Sequence, residues 1–126
     1  MDRQLLSRAT DSSEAPTPGY MYIDIAKNAA GNPQICADVA KYLVNRLSSK
    51  NNPNVKFKCL KVIAKTAVSP YLRGQFKRCM SQDPRAMAAI KDATQFRGAP
   101  DPVRGDAPNE KVRTAGKEAL DAIYSD

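Results

Sequence analysis

Lys58, Lys61 and Lys65 follow one another at intervals of three and four residues. On a helix that spacing gathers three ammonium groups on one narrow arc, and the chemistry open to such an arc is the holding of an anion. Arg73 and Lys77, four residues apart, repeat the device on the next element. These five belong to a wider asymmetry. Between Val39 and Gln82 the chain carries ten Lys and Arg and no Asp or Glu, whereas the remainder carries ten basic and thirteen acidic residues. The net charge of +7 is therefore a property of one region. A field of this sign attracts phospholipid head groups, nucleic acid or acidic peptide motifs. Lysines also keep an exposed helix face in solution, and on sequence alone that plain role stands level with a ligand surface.

Other chemistries find little to work with. Histidine is absent, there is no Gly-x-Ser-x-Gly turn, and no two carboxylates share an evident apolar site, so no catalytic residue is expected. Cys36, Cys59 and Cys79 each occupy an apolar helical position at irregular spacing. That pattern reads as buried, reduced thiols, with neither a disulfide nor a metal site. The glycines near residue 100 lack the GxxxxGK[ST] pattern of a phosphate-binding loop, and no cofactor is expected. Arg104-Gly105-Asp106 spells an adhesion tripeptide, but loop geometry accounts for it better. The five tyrosines are scattered over several helices, so single-stranded nucleic acid gains no stacking platform and is not an expected partner.

The elements that must position the cations are helices, since no period-2 stretch competes as a strand. A short first helix spans about Asp2 to Thr10, gripping through Leu5, Leu6 and Ala9. Pro18 opens a second, with Met21, Tyr22, Ile25, Ala26 and Ala29 on one face. Asn32-Pro33 starts the third, with Ile35, Cys36, Val39, Tyr42, Leu43 and Leu47 inward. Pro53 starts the fourth, where Val55, Cys59, Val62, Ile63 and Thr66 form a stripe that Phe57, Leu60, Ala64 and Val68 extend around most of the circumference. That helix must be covered on two sides and leaves only the lysine arc to water. Ser69-Pro70 reads as the cap of a fifth helix with Leu72, Phe76, Cys79 and Met80 inward, and Asp83-Pro84 as that of a sixth carrying Met87, Ile90 and Ala93. A Gly/Pro-rich connection leads to a last helix from Glu110 to Tyr124. No apolar run is long enough to cross a membrane. The fold class is all-α, and seven short helices around a nearly all-round apolar one describe a right-handed superhelix better than a four-helix bundle.

The fourth-helix pattern NVKFKCLKVIAK, the segment PGYMYIDIAK and above all the ending PDPVRGDAPNEKVRTAGKEALDAIYSD resemble the ENTH/VHS superfamily of membrane-traffic adaptors. The likeness runs from about Leu5 to Asp126. It implies a single domain over residues 1–126, excised from a longer protein with a flexible tail, and monomeric. It further implies a non-enzymatic module on the cytosolic side of the trans-Golgi network or coated vesicles, with an adaptor complex, coat component, SNARE or cargo tail as partner. Some relatives bind phosphoinositides and wedge an amphipathic segment into the bilayer. Too few residues precede Leu5 for that segment here, so insertion into a membrane is not expected. A peripheral phosphoinositide-binding module using the basic surface is the alternative reading, with weak acidic-lipid contact, and a phosphopeptide or RNA reader of the polymerase-tail-binding type the second. Other relatives grip acidic di-leucine tails or the phosphorylated tail of RNA polymerase. No complete motif of either kind matches residue by residue, so Lys58, Lys61, Lys65, Arg73 and Lys77 remain the candidate ligand surface.

Overall fold

The computed structural model describes residues 1–125, which form seven helices and no strand. They are α1 (Arg3–Ala9), α2 (Gly19–Ala29), α3 (Pro33–Ser49), α4 (Pro53–Ala67), α5 (Gln75–Ser81), α6 (Pro84–Ala93) and α7 (Ala107–Tyr124). The starts lie where the punctuation puts them. The Asn32 side chain accepts from the Ile35 N–H at 2.9 Å, Asn52 from those of Asn54 at 2.8 Å and Val55 at 3.2 Å, and Asp83 from that of Arg85 at 3.0 Å. Each cap is followed by a proline that needs no partner for the N–H it lacks.

The helices wind into an all-α superhelix with α4 as its inner member, touching α2, α3, α5 and α7. Val55, Cys59, Leu60, Val62 and Ile63 are all shut off from solvent, each contributing about 1.5–3 kcal/mol by leaving water. The largest contact between any two helices joins α4 to α7. It is built on small residues, Ala115 and Ala119 beside Val112 and Ile123. Gly116 lies where α7 crosses the end of α6, and a Cβ there would come within 3.1 Å of both the Thr94 methyl and its backbone nitrogen.

Four expectations need correction. The fifth helix begins at Gln75, because Arg73 (φ 49°) and Gly74 (φ 80°) both take the left-handed conformation and break any helix rising from Pro70. Ser69 to Gly74 instead form a turn, with the Leu72 N–H donating to Ser69 at 3.3 Å and the Gln75 N–H to Leu72 at 2.9 Å. Val68 lies beyond the last residue of α4 and is 56% exposed. The last helix starts three residues early, at Ala107, with Pro108 in its first turn. Ile35, Tyr42 and Cys79 are half-buried, packed against the core without entering it.

Candidate interaction surface

The three lysines of α4 share an arc in register but not in surroundings. Lys58 is 4% exposed. The segment joining α1 to α2 lies over it, and its Nζ donates to the Asp11 carboxylate at 2.6 Å, the Ser13 carbonyl at 2.8 Å and the Ser13 hydroxyl at 3.2 Å. All three ammonium donors are thereby used. The expectation that Lys58 faces water is overturned: it pins a loop. Its hydrogen bond, seconded by that of Ser13, holds the Asp11 carboxyl below the ordinary 3.8.

Lys61 is half-buried against α7, 3.7 Å from the Glu118 carboxylate and 5.8 Å from the centre of the Phe57 ring. Lys111 of α7 lies 4.9 Å from the same ring, and Thr114 and Glu110 complete a groove of about 300 Å³. Its charges alternate in sign. Lys65 is exposed and lines neither this groove nor the depression at the end of α4.

That depression, of about 520 Å³, collects Arg73, Lys77 and Arg78 beside Val68, Ser69 and Pro70, and no carboxylate of the described residues lines it. Arg73 is in the turn and Lys77 on α5, so the pair does not share a helix as expected, yet both face the same hollow. The left-handed turn brings this about. It reverses the chain tightly enough for the Arg78 guanidinium to reach back to the Arg73 carbonyl at 3.5 Å. The Lys77 ammonium donates to the Ser125 carbonyl at 2.6 Å, closing the hollow with the end of α7. Val68 stands exposed in the lining of this hollow, and Tyr71 of the same turn is 50% exposed with the Lys27 ammonium 5.4 Å from its ring centre.

Two other basic residues of the acid-free stretch act inside the fold. Arg46 donates twice to the Thr10 carbonyl, at 3.2 and 2.9 Å, and Lys56 to the Leu47 carbonyl at 2.6 Å near the end of α3. Sequence reasoning missed Arg78 as a member of the hollow and Tyr71 as an exposed residue of the turn that shapes it. Gly74 is the signal that could have found them, since glycine after a Ser-Pro pair marks a reversal. In the α6–α7 connection, Asp101 and Gly105 bond to each other's backbone at 2.7 and 2.8 Å. Arg104 pairs with Glu14 and Asp106 with Arg113, so both charged side chains of the adhesion tripeptide are engaged in the fold. Cys36 and Cys59 are buried, and desolvation pushes their thiols up to about 11 and about 12. Among the described residues no cluster of potential metal ligands forms, and no helix is long and apolar enough to cross a membrane.

The superhelix superposes on the solution structure of an ENTH-VHS domain from Arabidopsis thaliana with a TM-score of 0.86, at 26% identity, over 98% of this chain and 84% of that one. No family model matches the chain. Fold and sequence together place it in the ENTH/VHS superfamily. Its sequence is of the tepsin kind within that superfamily. It is 31% identical over 122 residues to the AP-4 complex accessory subunit Tepsin of Rattus norvegicus, covering 97% of this chain and 20% of that protein. Against the Xenopus laevis tepsin it is 33% identical over 124 residues, covering 97% and 21%. Protein MODIFIED TRANSPORT TO THE VACUOLE 1 of Arabidopsis thaliana is 29% identical over 124 residues, covering 98% and 17%. The chain thus spans about a fifth of the length of the curated relatives it matches.

Proposed function

We propose that this domain is a non-enzymatic docking module of a vesicle-coat accessory protein, at the trans-Golgi network or on coated vesicles. Its partner is an acidic segment of a trafficking protein: an adaptor complex, a coat component, a SNARE or a cargo tail. The relatives, two of which are named as accessory subunits of an adaptor complex and one for transport to the vacuole, support the setting. One observation carries the mode of binding. Arg73, Lys77 and Arg78 converge on one hollow without an acidic neighbour among the described residues, and the exposed Val68 is part of its lining. Arginine is enriched among energetically dominant interface residues, and the charge selects an acidic partner. Lys61 and Lys65 would add a weaker, long-range attraction, and Lys58 nothing.

The test is a fluorescence-anisotropy panel of acidic peptides, each with one bulky apolar residue, drawn from adaptor, coat, SNARE and cargo tails, run beside phosphoinositide liposomes. The joint change Arg73→Glu and Lys77→Glu is expected to weaken peptide binding at least about tenfold, a loss of roughly 1.4 kcal/mol. Lys61→Glu with Lys65→Glu should change it by less than about threefold. Binding to liposomes alone, abolished by the first pair, would turn the reading to an acidic-lipid module. Peptide affinity indifferent to both pairs would remove the surface from consideration.

A further inference from the structure

Two places in the chain put a hydroxyl residue directly before proline, Thr17-Pro18 and Ser69-Pro70. Protein kinases of the proline-directed class accept such sites, because a proline after the acceptor offers no N–H that would need a partner. The two hydroxyls stand differently. Thr17 Oγ1 donates to the Ala9 carbonyl at 2.7 Å, so its proton is already committed to holding the α1–α2 connection. Ser69 Oγ only accepts, from the Tyr71 N–H at 3.3 Å, and the residue is half-exposed on the rim of the depression that Arg73, Lys77 and Arg78 line.

A phosphate ester at physiological pH carries about −1.5 to −2 charges and three acceptor oxygens. The hollow beside Ser69 offers two guanidinium forks and an ammonium, with no carboxylate of the described residues to compete. Arg73 is held there in a left-handed backbone, a conformation that costs a non-glycine residue free energy. A phosphate gripped by its side chain would offset that cost. Of the hydroxyls preceding proline, only Ser69 has both a free proton and a preformed cationic receiver.

We propose that Ser69 is a phosphorylation site and that its phosphate, once attached, is held by Arg73, Lys77 and Arg78. The Ser69 oxygen attacks the γ-phosphorus of ATP, an O–P bond forms as the β–γ bridging bond breaks, ADP leaves with magnesium, and the hydroxyl proton passes to the kinase's base. The product occupies part of the hollow and offsets about half to two-thirds of its three positive charges. If the docking reading above holds, phosphorylation switches that surface off; the capture itself stands without any partner.

The test begins with the folded chain, a proline-directed kinase and Mg-ATP. Tandem mass spectrometry should find one phosphate on Ser69, absent from Ser69→Ala, and none on Thr17. Phosphorus NMR titration should place the second ionisation of phospho-Ser69 at least about half a pH unit below the ordinary value near 6. Joint substitution of Arg73→Gln, Lys77→Gln and Arg78→Gln should return it there, while a rise in melting temperature on phosphorylation vanishes in the same variant. Modification of Thr17 with Ser69 untouched, refusal of the folded chain as substrate, or a phosphate titrating as it does in the isolated peptide would each overturn the proposal. Capture of the phosphate together with peptide binding indifferent to Arg73 and Lys77 reversal would sink the docking reading and leave this one standing.

Discussion

Exchanging Lys58 for Met keeps the length of the side chain under the α1–α2 segment and removes three hydrogen bonds from its tip. A hydrogen bond to a charged group contributes about 1.5–3 kcal/mol net when buried. Here the Asp11 side chain is half-exposed, so its share is screened toward about 1 kcal/mol or less. The Ser13 carbonyl, placed at 2.8 Å by the fold, loses its ammonium donor as well. The sum comes to about 2–3 kcal/mol. For a domain of this size that corresponds to a fall in melting temperature of roughly 6–15 °C. Lys58→Glu is worse, because it puts a carboxylate against Asp11 in a site with no spare donor, at about 3–5 kcal/mol. Lys65→Glu, on the same arc but exposed, should stay within about 0.5 kcal/mol. Thermal and urea melts followed by circular dichroism would measure all three. The acid limb gives an independent check. The Asp11 carboxyl is held below 3.8 in the folded state, so its contribution is complete above that pH and is lost as pH falls through the folded value. The gap between wild type and Lys58→Met should therefore be full near neutrality and narrow in acid by the Asp11 share alone, while the share of the Ser13 carbonyl and hydroxyl persists. Equal melting temperatures for Lys58→Glu and Lys65→Glu near pH 7 would refute the reasoning, since they would show that the Lys58 side chain swings out to water at no cost.

Val62→Asp places an unpaired carboxylate at a fully enclosed position of α4 and should abolish cooperative melting, at a cost of about 5 kcal/mol; Lys61→Glu gives up only a 3.7 Å surface pair and should shift stability by about 1 kcal/mol or less. With Cys36 and Cys59 buried and their thiols raised to about 11 and about 12, an aromatic disulfide reagent at neutral pH should label Cys79 alone in the folded chain and all three only after urea. Gly98→Ala drives a Cβ to 2.7 Å from the Asn109 carboxamide oxygen and 2.9 Å from the Phe96 ring, and should lower stability by about 1–3 kcal/mol. Gly19→Ala meets nothing within 4 Å and should melt at or above the wild-type temperature.

Helix order and most of the core were legible because both are written in local terms. An Asn or Asp followed by Pro caps a helix wherever it occurs, and an apolar arc wide enough to sweep α4 requires covering by something. What covers each part of the arc is a matter of tertiary packing. Nothing in the spacing of Lys58 distinguishes it from Lys65. The distinction comes from Asp11 and Ser13, more than forty residues away in sequence, whose segment crosses that part of the helix. The same holds for the cationic hollow. Arg73 and Lys77 were visible as charges four apart, but the reversal that aims them together depends on left-handed backbone at Arg73 and Gly74, and Ser69-Pro70 read as a helix cap concealed it. The family resemblance reached the fold without reaching the ligand, since a fold does not choose among the sites it can carry.

The dependence of α4 on α7 has a consequence during synthesis. When Ala93 at the end of α6 has left the ribosome, the face of α4 that α7 will cover still lacks its lid. The chain must extend by some thirty residues before Ile123 can dock, which takes about 2–6 s at ordinary elongation rates of about 5–20 residues per second. For that interval the first six helices hold an open apolar strip. The small residues of α7 then suit a late arrival: Ala115 and Ala119 dock with no rotamer search of their own, leaving only Val112 and Ile123 to settle beside them.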